Sequence, residues 1–205
     1  MPDKAASRCT WRSRIPDRHV HLDAALSGIP LALDDRWRAA VDLGDPAGPD
    51  SLCISGHKFL GTPLPCGVVL ARRDHLAYIR RTIDYISGPD VTISGSRPGL
   101  AALQLWYALR RPGLAGHRAR ATAVRELARY ATARLRAIGW ECWRHEHAFT
   151  VVLRTPPAPV LARWSLATEG DRSHIVCMPG VQRAQIDAFI EDLMEFRHLA
   201  LPEAG

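Results

Sequence analysis

The 205-residue chain has length for one ordinary domain, or one and a half small ones, and its 47% hydrophobic and 23% charged residues match an average globular protein. That balance excludes wholesale disorder, and no apolar run approaches the ~18 residues of a membrane span. The net charge of +6 (27 basic minus 21 acidic) admits a polyanion partner, but the arginines between Arg110 and Arg136 interleave with Ala as on a solvated helix face.

Residues 1–18 are polar and Arg-rich, and they read as a flexible start without a secretory signal. His19–Asp23 reads as a short strand, followed by a small-residue turn over Ala24–Gly28. Asp34–Val41 reads as a short helix with Asp34 as N-cap. Ser51–Ser55 reads as a buried strand, which gives a strand–helix–strand unit with parallel pairing and a right-handed crossover. A Gly- and Pro-rich turn then leads to a strand over Cys66–Ala71. Residues 72–86 look helical, Ser87–Gly99 reads as a loop, and Gly99–Arg110 reads as a helix.

Pro112-Gly113 marks a boundary between a larger domain (19–112) and a small C-terminal α/β domain (113–205). In the second domain, Val124, Leu127, Ala128, Ala131, Leu135 and Ile138 recur every three or four residues, which predicts one helix burying that stripe. Gly139 supplies its stop. A strand at Phe149–Arg154, a short helix at Val160–Ala167 and a strand at His174–Met178 follow. Ile186, Phe189, Ile190 and Leu193 mark the last helix. Five scattered cysteines (Cys9, Cys53, Cys66, Cys142, Cys177) suit reduced core thiols in a cytoplasmic protein better than a disulfide framework.

Ligands of open parallel sheets collect beyond the carboxyl ends of the strands. Asp23 closes the first strand there, and Ser55-Gly56-His57-Lys58 leaves the second. A lysine is the residue that forms an imine with an aldehyde. A carboxylate can keep a pyridinium nitrogen protonated. Glycines admit a phosphate close to the backbone, and Ser55 can donate to it. On spacing alone, Lys58 could equally be a solvated turn lysine and Asp23 a turn cap, and His57 could simply fix the turn.

The wording of the motifs says more. Val20-His21-Leu22-Asp23-Ala24-Ala25-Leu26-Ser27-Gly28, with Ser55-Gly56-His57-Lys58-Phe59-Leu60-Gly61-Thr62-Pro63-Leu64-Pro65-Cys66-Gly67, resembles the pyridoxal-phosphate-dependent group II amino-acid decarboxylases, in particular their histidine and serine decarboxylase branch. Ile83-Asp84-Tyr85-Ile86, Thr92-Ile93-Ser94-Gly95-Ser96-Arg97 and the stretch from Trp164 to Pro179 agree in order. The resemblance implies an α/β chain. It would hold part of a PLP-dependent transferase-like (fold type I) large domain with a parallel-rich sheet, then a small C-terminal domain.

The resemblance also implies pyridoxal 5′-phosphate as cofactor, held by Lys58 as an internal aldimine, with Asp23 on the ring nitrogen and Ala25 against one ring face. Ser55 and His57 would help hold the phosphate. The Ser94–Arg97 loop would reach a neighbouring subunit's cofactor, with Ser96 as the phosphate contact. The implied reaction is decarboxylation of a small amino acid, with histidine giving histamine. Lys58, Asp23 and His57 would be the catalytic set, and no metal is implied.

The family places roughly half of its large domain before the Asp motif, whereas twenty-two residues precede Asp23 here. The chain is therefore expected to lack the front of its own site and to need a homodimer or a second chain supplying it. An inactive remnant, a partner subunit of a split enzyme, and a basic nucleic-acid-binding protein are the competing readings. No nucleic-acid or membrane partner is expected. Cys142, His145 and His147 lack a fourth metal ligand and read as a strand-edge polar cluster. Trp106 and Tyr107 read as core or dimer-interface packing, and Cys66 as a buried thiol.

Overall fold

The computed structural model describes residues 18–90 and 97–197. The chain divides into two compact units, Met1–Arg118 and Ala119–Gly205.

The first unit is built on a three-stranded sheet in the order β1–β2–β3, formed by β1 (His21–Asp23), β2 (Ser51–Ser55) and β3 (Gly67–Ala71). β1 and β2 run parallel, with Asp23 beside Cys53 in register. β3 returns antiparallel, pairing Gly67 with Ser55 and Ala71 with Ser51. The parallel pairing expected from the strand–helix–strand unit is thus present in β1–β2, and the tight Gly/Pro turn after β2 forces the next ladder to be antiparallel.

The crossover differs from expectation. The turn expected over Ala24–Gly28 is present, but it leads into a five-residue helix α1 (Gly28–Ala32) that was not expected, and the segment expected as a helix holds only a 3-10 turn, Arg38–Val41. Gly28 explains the first difference. A Cβ there would lie 3.0 Å from Ala24 Cβ and 3.1 Å from Ile54 Cγ1, so the missing side chain lets α1 sit against β2.

Asp50 fastens β1 to β2 from below. It is 3% exposed, accepts the Val20 N–H at 2.7 Å, and faces Arg72 Nε at 3.8 Å. Ser51 Oγ adds bonds of 2.7 Å to both His19 Nε2 and His21 Nδ1.

The helix expected over 72–86 is shorter. α2 (Arg73–Ile79) ends at an extended Arg80, and Arg81–Ile83 forms β4, paired antiparallel with β5 (Gly88–Asp90). Thr82 and Ile83 are β-branched and favour the strand. Ser87, at φ 51°, closes this hairpin in the left-handed region. α3 (Gly99–Arg110) then starts and ends as expected.

α4 (Gly113–Ala137) runs through the division into the second unit. Within the second unit, Val124, Leu127, Ala128, Ala131 and Leu135 are all buried, as their spacing predicts, and Gly139 takes φ 69° at the stop. They meet a four-stranded antiparallel sheet in the order β6–β7–β9–β8: β6 (Cys142–Trp143), β7 (Thr150–Arg154), β8 (Ala167–Glu169) and β9 (Arg172–Val176). Val151 and Leu153 point inward from β7 and are fully buried with Leu135, Val160, Ile190 and Leu193.

Helices α5 (Ala158–Arg163) and α6 (Arg183–Glu195) complete the second unit. Trp164 Nε1 donates to Asp192 at 2.7 Å, and the Trp164 ring meets Phe189 edge-on, tying the end of α5 to α6. Sequence reading missed β6 and β8 because two or three residues are too short to show alternation. No described helix is long and apolar enough to cross a membrane.

Candidate cofactor site

The parallel ladder places two strand ends side by side. β1 stops at Asp23, and β2 continues two residues beyond Cys53 to Ser55. Ala25 bridges them: its N–H donates to Asp23 Oδ1 at 3.0 Å, and its carbonyl accepts the Ser55 N–H at 3.0 Å. Asp23 Oδ1 also faces the Cys53 thiol at 3.4 Å. These contacts hold the exposed Asp23 carboxyl below the usual carboxylate range. The Ala25 N–H is the largest cause and the Cys53 S–H the next, and the charges on Lys58 and His21 add to them against slight desolvation. Asp23 is therefore a fixed anion close enough to Lys58 to feel its charge.

The turn after β2 is held at several points. The N–H of Gly56 donates to the Cys66 carbonyl at 2.9 Å, that of Lys58 to Ser55 at 3.3 Å, that of Gly61 to Lys58 at 3.0 Å and that of Thr62 to Gly56 at 3.0 Å. Phe59 and Leu60 are buried directly after Lys58 and anchor it. A Cβ on Gly56 would lie 2.4 Å from Cys66 Sγ and 3.2 Å from both Thr62 Oγ1 and Leu105 Cδ1. Only glycine fits there. Gly61 adopts φ 73°, which glycine also favours.

Lys58 is half-buried, and among the described residues its amine has no ion-pair partner. Ser55 is likewise half-buried, with no hydroxyl partner among the described residues. The exposed His57 accepts the Cys66 N–H through Nδ1 at 3.3 Å, so its ring fastens the turn to the start of β3. Ser96, expected as a phosphate contact, lies outside the described residues, as do Thr92–Gly95 of its motif. Cys66 is half-exposed, which corrects its reading as a buried thiol: its Sγ sits 3.5 Å from Thr62 Oγ1 in the open side of the turn. Sequence reasoning missed Asp50, the buried carboxylate at the opposite end of β2 from Ser55, which pins the two strands that carry the site; nothing in a Pro-Asp-Ser triplet announces burial.

Among the described residues no group of three or more His, Cys, Asp or Glu is placed to share a metal ion. His145 and His147 stack at 5.9 Å, and the Cys142 thiol faces the Thr132 carbonyl at 3.6 Å.

Comparison with known proteins shows the family. The pyridoxal-dependent decarboxylase conserved domain matches residues 13–153, and the chain belongs to that family. It is 40% identical over 179 residues to a histidine decarboxylase of Pseudomonas entomophila (strain L48), covering 87% of this chain and 44% of that protein. It is 42% identical over 175 residues to a histidine decarboxylase of Mesorhizobium japonicum, covering 85% of this chain and 46% of that protein. The solved L-methionine decarboxylase from Streptomyces sp.590 superposes with a TM-score of 0.69 at 31% identity, over 86% of this chain and 42% of that one. The chain thus spans under half the length of the relatives it matches, and its fold is that of part of a fold type I pyridoxal-phosphate decarboxylase.

The donor set fits pyridoxal 5′-phosphate. A carboxylate kept ionised, an amine near it but held in no ion pair, and an uncommitted hydroxyl are grouped at one rim of the sheet.

Proposed function

We propose that this chain carries Lys58 and Asp23 of a decarboxylase site that converts L-histidine to histamine with pyridoxal phosphate. The observation that carries the reading is the pairing of a fixed anionic Asp23 with an unpaired Lys58 on adjacent parallel strand ends. Histidine is favoured as substrate because the named histidine decarboxylases are 40% and 42% identical, against 31% for the methionine enzyme.

When bound, pyridoxal phosphate supplies a protonated pyridine ring that takes up the electron pair left at the α-carbon as carbon dioxide departs. Asp23 keeps that ring proton in place: Oδ1 is committed to Ala25 and Cys53, which leaves Oδ2 for the ring N–H. The Lys58 amine would be the group that holds the cofactor through its aldehyde, a primary amine being the side chain suited to that bond. Ala25, clamped between the strand ends, would back one face of the ring. Ser55 Oγ and His57 Nε2 would donate to the phosphate, and Ser96 is proposed as a further phosphate residue. The site works in an assembly, either with a second copy of this chain or with a chain that supplies the rest of the domain. The exposed apolar side of α3 favours an assembly.

The test is a pyridoxal-phosphate titration followed by its visible absorption band, borohydride trapping and mapping of the modified residue. Release of labelled carbon dioxide from histidine, methionine and serine is then measured. Modification confined to Lys58, with release from histidine, is expected. A trapped adduct spread over surface lysines would overturn the site, and release from methionine alone would overturn the substrate.

A further inference from the structure

The second unit contains a cavity of about 360 Å³ lined by Arg129, Thr132, Ala133, Arg136, Arg144 and Glu146. None of these residues belongs to the cofactor site. Arg129 and Arg136 stand seven residues apart on α4, two helical turns, so they share one face. Arg144 follows β6 and is fixed by its own backbone surroundings. Its Nη1 donates to the carbonyls of His145, Glu146 and Ala148 at 3.0, 2.8 and 3.1 Å.

Three guanidinium groups face one carboxylate here, a local excess of two positive charges (three minus one). Their crowding leaves a mark: Arg144 is held below the usual arginine range, first by burial and then by the charge of Arg129, with Arg136 adding and Glu146 opposing. Among the described residues neither Arg129 nor Arg136 is ion-paired to a carboxylate. Arginines elsewhere in the unit are: Arg134 with Asp187 at 3.5 Å, Arg172 with Glu141 at 2.6 Å, and Arg163 with Asp192. Thr132 is no competitor for a ligand, because its hydroxyl donates to the Ala128 carbonyl at 2.7 Å.

Unbalanced like charges around a partly desolvated cavity repel one another, and an anion placed between them reverses the sign of that energy. Guanidinium forks match phosphate oxygens two at a time. The volume lies within the range of small-ligand sites. We propose that this cavity binds a small phosphate-bearing anion, held by Arg129, Arg136 and the pre-fixed Arg144.

Inorganic pyrophosphate is the probe, titrated into the full chain at constant ionic strength and followed by phosphorus NMR line width, which is readable whatever the oligomeric state. Saturable broadening is expected. Arg129→Gln should weaken it roughly tenfold, the size of one charge-assisted bond, and Arg129→Gln with Arg136→Gln should abolish it. Arg134→Gln, on the same helix but committed to Asp187, should leave it unchanged. Both Arg129 and Arg136 are exposed, so circular dichroism should show the double variant folded. Unsaturable broadening, equal loss with Arg134→Gln, or binding that survives the double variant would overturn the proposal, the last placing the anion at the Lys58 site instead.

Discussion

Asp23 is the residue on which the proposed chemistry can be tested most sharply. Its charge is maintained by a backbone N–H and a thiol before any cofactor arrives. Asp23→Asn keeps an oxygen for the Ala25 N–H and removes only the charge. Decarboxylation should fall roughly 10²–10³-fold, the usual loss on deleting one preorganised electrostatic contact, while borohydride trapping at Lys58 persists. Unchanged turnover would remove Asp23 from the ring nitrogen. A second residue-scale effect concerns Cys177, which is fully buried and whose thiol burial pushes up to about 11, with Arg144 opposing. The raised value means that the folded state holds the proton more tightly than the unfolded one. That stabilisation is complete below the ordinary value of 9.0 and is lost as pH rises toward 11. Urea midpoints at pH 8 and pH 10.5 should therefore drop further in the parent than in Cys177→Ala, and equal drops would contradict the assignment. Of the site, the placement of Asp23 at the end of β1 and of Lys58 just after β2 was legible because strand ends are written locally, while the roles given to them came from the wording of the motifs. The bond from Cys66 to the His57 ring and the burial of Asp50 depend on where distant segments land, which no local pattern records.

At the scale of elements, the turn that presents Lys58 depends on an absent side chain. Gly56→Ala would drive a methyl into Cys66 Sγ, 2.4 Å from the ideal Cβ position, so the turn must shift and carry Lys58 away from Asp23. Lower thermal stability and weaker cofactor affinity should follow together. Adding Cys66→Ala should recover most of both, since the contacts with Thr62 and Leu105 at 3.2 Å need smaller adjustments. No recovery would show that backbone freedom, not the sulfur, demands the glycine. In the second unit, the buried stripe of α4 was legible from Val124 to Leu135 because it repeats every three or four residues, while Ile138, expected to continue it, lies past the helix end and is only half-buried. Leu135, completely enclosed, should cost about 2–5 kcal/mol of stability as Leu135→Ala, measured by urea unfolding. Short elements defeated the same reasoning. β4 was read as helix because the three residues Arg81–Ile83 are too few to show alternation, and α1 went unread because its glycine permits a close contact with β2 that only the folded chain reveals.

The chain as a whole presents an apolar surface that its own described residues leave open. α3 buries none of its twelve residues, and Leu100, Leu103, Trp106 and Tyr107 are each more than half exposed. Of the two settings expected for Trp106 and Tyr107, core packing does not hold among the described residues, none of which covers their helix face, and the dimer-interface alternative stays open. α3 is held by Gln104, whose Oε1 accepts the Leu64 N–H at 3.2 Å, by Leu105 near Gly56, and by the Leu109 carbonyl, 3.1 Å from His117 Nε2. On the sheet, Val69 is 63% exposed in β3, which has no neighbour on its outer edge among the described residues. An uncovered apolar helix face beside an open strand edge drives association, because water is released from the first and unpaired backbone groups are satisfied at the second. The purified chain should therefore elute as oligomers or aggregates. Raising the salt should not disperse them, because the contact is apolar rather than ionic. Leu103→Glu with Trp106→Glu should shift the population toward monomer without loss of helix by circular dichroism, since neither side chain supports the fold from inside. A monodisperse parent that melts cooperatively as a monomer would mean that this surface is stable in water, and the case for an obligatory assembly around Lys58 would fail with it.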